Sequence, residues 1–148
     1  MHQSLFESVK GTMILLPLLR DNDVVESEGV DMRDFDFVDF VIMVGATDIV
    51  VDAEAVESVN ANMGTPSDVA GSDITQIAST EDNRTVIISV KKSTLTKRFA
   101  GVKVTIGDGI LGANVAVLAV QYGITGLLPV TQHPSGGEAY ETAEIVKV

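Results

Sequence analysis

The stretch RFAGVKVTIGDGILGANVAVLAVQY, residues 98–122, decides how this chain is read. Val102, Val104 and Ile106 recur at every second position, the spacing that lines up side chains on one face of a β-strand. GANVAVLAVQY (112–122) follows as a longer apolar run. Between them Gly107-Asp108-Gly109 offers glycines that tolerate the positive φ of a tight reversal, so a β-hairpin is expected.

Working outward, the same period recurs. Thr85–Lys91 places Val86, Ile88 and Val90 on one face, and Ile49–Val59 alternates with Val51, Ala53 and Ala55 on one side. Val30–Asp36 alternates apolar and acidic residues, the pattern of a half-buried strand, with Asp34 and Asp36 on the solvent face. Phe40–Val44 is continuously apolar and is therefore expected to be covered on both sides, with Gly45 ending it. Thr12–Leu19 reads as a short strand whose Pro17 fits an edge or a bend. Asn60–Gly71 is turn chemistry, Ser72–Ala78 a possible short strand, and Asp82-Asn83 a turn. Some eight strands punctuated this way predict an all-β chain: an antiparallel two-sheet sandwich, jelly-roll-like, with extended N- and C-terminal segments. The expected division is an N-terminal arm and edge strand (1–29), a sandwich core (30–122) and a Gly/Pro-rich tail ending in a strand (123–148).

Composition narrows the chemistry. The 148 residues fit one domain able to bury an ordinary core. Cysteine is absent, which removes disulfides, thiol catalysis and thiolate metal sites. The net charge of −11 is uneven: residues 1–82 carry 17 of the 21 acids and three of the ten bases. So acidic a chain is repelled by nucleic acid and by anionic membranes, and neither is an expected partner. No apolar run reaches the ~20 residues of a membrane span. Met13–Leu19 is also a poor signal peptide, and a soluble protein outside the usual secretory route is expected.

Catalytic constellations are thin. His133 beside Ser135 is the one local nucleophile–base pairing; it sits in a Pro/Gly-rich segment without a Gly-x-Ser-x-Gly elbow. No phosphate loop is present, and the acids Asp21/Asp23, Asp31/Asp34/Asp36 and Asp48/Asp52 match no calcium-loop pattern. No enzyme activity, metal or cofactor is expected. One feature does stand out: Asn83–Gly107 contains no acid but holds Arg84, Lys91, Lys92, Lys97, Arg98 and Lys103. Two accounts are open, compensation of neighbouring acidic strands and a contact with a partner. A nucleic-acid reading lacks a stacking platform, since Phe99 is the strip's lone aromatic.

Four segments carry a resemblance. They are Gly29–Phe35, Phe40–Gly45 followed by Thr47-Asp48, Thr94–Ile106 with Arg98-Phe99 ahead of Val102–Thr105, and Gly112–Val120. Together they resemble the strand sequence of small β-sandwich head-decoration and minor structural proteins of tailed bacteriophages. Glu57-Ser58-Val59-Asn60 departs from that pattern, and the tail beyond Gly123 is additional. The resemblance implies a capsid decoration or cement protein that binds the major capsid protein on the virion surface after assembly in the host cytoplasm, as a homo-trimer. Alternatives are a head–tail or tail structural protein, or a carbohydrate- or host-surface-binding module. Partner contact is then expected from Leu15 and Leu16, which lie in an apolar segment outside the resembling core. The basic residues Lys91, Lys92, Lys97, Arg98 and Lys103 are expected to join them, with Ile145 and Val146 of the strand-like tail, a segment able to add to a neighbour's sheet edge.

Overall fold

Alternation along the sequence becomes two faces in space. In the computed structural model, which describes residues 8–125, Val102, Val104 and Ile106 point into the core and Lys103 and Thr105 point away. The strands in chain order are β1 (Lys10–Arg20), β2 (Asp23–Glu26), β3 (Val30–Asp31), β4 (Phe35–Thr47), β5 (Val51–Ser58), β6 (Ser67–Asp68), β7 (Arg84–Lys91), β8 (Phe99–Ile106) and β9 (Ala113–Ile124). A single turn of 3-10 helix, Lys92–Thr94, follows β7.

Two antiparallel sheets pack face to face. One has the order β1-β9-β4-β7; the other has β2-β8-β5-β6, with β3 also paired to β8. β2 and β3 lie along the same side of β8, at 103–106 and 99–100, so together they form one interrupted strand. Ser27 spans the interruption: its N–H donates to the Val102 carbonyl, and its Oγ accepts the Val102 N–H, each at 2.9 Å. Counted that way there are eight strands, and their order is that of a jelly roll. The core between the sheets is largely aliphatic around Phe40, with Val38, Phe40, Ile42, Val102, Val104, Val115 and Val117 all fully buried.

In this winding the chain changes sheet between almost all consecutive strands, and that overturns the hairpin expected at Gly107-Asp108-Gly109. β8 belongs to one sheet and β9 to the other, and the two are not paired. The residues 107–112 are a crossing between layers. β4 likewise runs through Gly45 to Thr47 instead of ending there. Ser72–Ala78 forms no strand; it touches the sheet through Ile77, bridged to Val51, and through the Ile74 N–H donating to the Ala53 carbonyl. Among the described residues the sandwich begins at Lys10, since β1 and β2 are edge strands of its two sheets and Ile14 and Leu15 are in the core.

The two lateral sides of the sandwich differ. On the β1/β2 side the sheets are stitched together, the chain turning through Asn22 and the Glu28 N–H donating to the Ile14 carbonyl at 3.1 Å. On the opposite side β7 has β4 as its strand partner, and its outer edge meets no strand among the described residues.

Candidate interaction surfaces

The outer face of the β1-β9-β4-β7 sheet is apolar where an exposed sheet face is ordinarily polar. The register aligns Met13 of β1, Leu118 of β9, Val41 of β4 and Ile87 of β7 in one row across all four strands. Met43 and Val120 flank that row in half-buried positions, and Ile87 is 58% exposed. Phe40–Val44 was expected to be covered on both sides. The structure covers Phe40, Ile42 and Val44 completely, whereas Val41 and Met43 remain half-buried on the outer face. At one end of this face Phe37 stacks on Tyr122, with ring centroids 5.2 Å apart, and the Tyr122 hydroxyl donates to Asp39 at 3.2 Å.

The open side between the sheets holds a groove of about 710 Å³, lined by residues 69–75 on one wall and 86–91 on the other, with Arg84 and Thr94 at its ends. Residues 69–75 are fixed to β5: the Val69 N–H donates to the Ala55 carbonyl at 2.9 Å, and Ser72 Oγ accepts the Ala55 N–H at 2.9 Å. The other wall is the edge of β7 itself. In an antiparallel edge strand every second residue presents its N–H and C=O outward. The groove therefore pairs an open hydrogen-bonding edge with a fixed opposite wall.

A third feature is the crossing at residues 107–112. The Asp48 carboxylate accepts three backbone N–H groups there, from Ile110 (2.9 Å), Leu111 (2.8 Å) and Gly112 (2.8 Å). These bonds, led by that from Leu111, hold its pKa below the ordinary carboxylate value. Asp21 accepts the Gly109 N–H at 2.8 Å. Pinned in this way, the loop holds Ile110 and Leu111 in solvent at 93% and 69% exposure.

The basic strip is mostly compensated within the chain. Arg98 makes a two-pronged contact with Asp31, Nε to Oδ1 at 2.9 Å and Nη2 to Oδ2 at 2.5 Å. This contact lowers the Asp31 pKa. Lys103 lies between Glu54 and Asp68, 2.8 Å from the latter, and its pKa is raised by both. Lys97 Nζ donates to Ser67, Lys92 Nζ to the Arg33 carbonyl, and Arg84 pairs with Glu81. Lys91 is exposed on the groove wall and makes no ion pair with a described residue. Of the apolar pair on β1, Leu15 is buried at 6% and committed to the core, while Leu16 is exposed. Ile145 and Val146 lie outside the described residues, as do His133 and Ser135.

Sequence reading missed Glu57. This buried carboxylate accepts Thr96 N–H (2.7 Å), Thr96 Oγ–H (2.6 Å) and Lys97 N–H (3.0 Å), tying β5 to the approach of β8. Burial pushes its pKa up, and the bonds from Thr96 and Lys97 outweigh burial and leave it lowered. Nothing local in the sequence marks it, because its partners lie about 40 residues away. Among the described residues no cluster of three or more His, Cys, Asp or Glu is arranged to hold a metal. No helix among them is long and apolar enough to cross a membrane.

No family model matches the chain, and no curated protein matches it. Among solved structures, one described as "Bacillus endospore appendages form a novel family of disulfide-linked pili" aligns over 80% of this chain and 91% of its own, at 10% identity and a TM-score of 0.43. A likeness so distant carries no argument about what this chain does.

Proposed function

We propose that this chain is a non-enzymatic structural subunit of a virion: a decoration protein that binds the major capsid protein on the outside of a tailed-phage head, as a homo-trimer. The observation that carries the reading is the apolar row Met13–Leu118–Val41–Ile87 on the outer face of the four-stranded sheet. An apolar face of this kind on an otherwise acidic protein is the mark of a surface covered by another protein. The specific assembly comes from the sequence resemblance. Decoration works by repetition: one modest interface per subunit, multiplied over a shell lattice, stabilises the particle through multivalency. The uncompensated acids of the first 82 residues would favour a basic patch on the shell subunit.

Quantitative mass spectrometry of purified particles from the source lysate tests this. A copy number comparable with that of the major shell subunit is the expected result. A few copies per particle would move the protein to the neck or tail, and absence from particles would overturn the virion reading.

A further inference from the structure

The groove beside β7 has the shape and chemistry of a slot for one β-strand. Its β7 wall is eight residues long and offers backbone donors and acceptors along an edge that no described strand pairs. The Val86, Ile88 and Val90 side chains face inward, and Lys91 stands exposed at one end. The opposite wall is already bonded to β5, so it cannot move in to close the gap without breaking those bonds.

The chain itself contains a segment suited to that slot. AYETAEIVKV (139–148) ends in the strand-forming Ile145-Val146-Lys147-Val148, and its Glu141 and Glu144 are opposite in sign to Lys91, the groove base that makes no ion pair with a described residue. We propose that residues 139–148 of one copy add as an antiparallel strand to β7 of a second copy, linking the subunits in series.

The position of the chain's exit argues for a second copy. β9 ends at Ile124, paired with Phe35, and the Thr125 N–H donates to the Asp34 carbonyl. This is the end of the sheet where Lys91 of β7 pairs with Phe37. The chain's own slot lies three strand spacings from β9, about 14 Å, which some five extended residues cover. A direct return would then lay residues 131–138, TQHPSGGE, along β7, and their proline and two glycines suit a strand poorly. The strand-forming residues begin farther on. The intervening residues 126–138 span up to about 40 Å when extended, roughly three times the distance to the chain's own groove. This linkage concerns contacts between copies, so its failure would leave the virion reading standing, and the reverse also holds.

The absence of native cysteine permits a clean test in the full-length chain. Copies carrying Ser89→Cys, on the exposed edge of β7, are mixed under mild oxidation with copies carrying Ile145→Cys or Val146→Cys. Neighbouring strand residues face opposite sides, so one of the two tail variants suits either register. The expected result is a mixed disulfide dimer formed about tenfold more efficiently than with a Val59→Cys acceptor, whose exposed site lies outside the groove. A cross-link appearing only inside single chains that carry both changes would assign the slot to the chain's own tail and overturn the proposal. Equal yields from Ser89→Cys and Val59→Cys would remove the tail as the occupant.

Discussion

Asp48 accepts the N–H of Leu111 at 2.8 Å across 63 residues of sequence, and the same carboxylate takes the N–H groups of Ile110 and Gly112. One side chain at the end of β4 thereby fixes the crossing that carries the chain from one sheet to the other. Asp48→Asn keeps the shape but removes the charge that makes these bonds strong. The expected outcome is faster hydrogen exchange at the amides of 110–112, with β-sheet amides unchanged, read by NMR.

Gly112 sits at φ +79°, and a Cβ there would lie 2.1 Å from the Arg20 carbonyl oxygen. A backbone atom cannot yield as a flexible side chain would. Gly112→Ala is therefore expected to cost about 2 kcal/mol or more in chemical denaturation, while Gly11→Ala, with open space around it, changes little.

Stability should fall in acid. Asp31, Asp48 and Glu57 all have pKa values lowered in the folded chain. A lowered folded pKa means the carboxylate's contribution is complete above its unfolded value, about 4.3 for a glutamate, and is lost as pH falls through the folded value. Melting temperature should thus be flat near neutrality and drop below about pH 4. Glu57→Gln should flatten that limb and lower stability at neutral pH by about 1–3 kcal/mol, since the N–H groups of Thr96 and Lys97 lose their charged acceptor.

Lys103 has the opposite sign. Its pKa is raised between Glu54 and Asp68, so its contribution is complete below about 10.4 and fades only as pH rises through the higher folded value. Lys103→Met leaves two carboxylates facing each other without a cation. A loss of about 1 kcal/mol is expected, with β6 the strand that loosens, because Asp68 belongs to it.

The two faces of β9 should separate folding from assembly. Val117 is fully buried and Leu118, its neighbour, lies on the outer row. Val117→Ala is expected to cost about 2 kcal/mol. Leu118→Glu should change stability by less than about 1 kcal/mol yet abolish binding to capsid shells in a co-sedimentation assay. Retained binding would count against that face.

Much of the fold could be read because its signals are local. Period-two alternation in 51–55, 86–90 and 102–106 placed side chains on the correct faces. Pro17 marked an edge strand, and β1 is one. The failure at Gly107-Asp108-Gly109 has a physical cause: these residues permit a reversal but do not say whether the returning strand joins the same sheet. That choice is made by Asp48 and Asp21, which are remote in sequence. Charge in the basic strip told of partners without naming them. Lys103 and Arg98 were as well explained by Glu54, Asp68 and Asp31 within the chain as by a foreign surface. The groove beside β7 was invisible, since an unpaired edge is a property of strand order and not of any segment.

A strand received from another copy would cover the outward-facing backbone groups of β7. Hydrogen exchange of the amides of 84–91 in the full-length chain, measured from dilute to concentrated solution, tests this linkage most directly. Alternate amides of β7, those directed away from β4, are expected to gain protection as concentration rises, in step with the appearance of linked species. Exchange at those amides that stays the same over the whole range would contradict it.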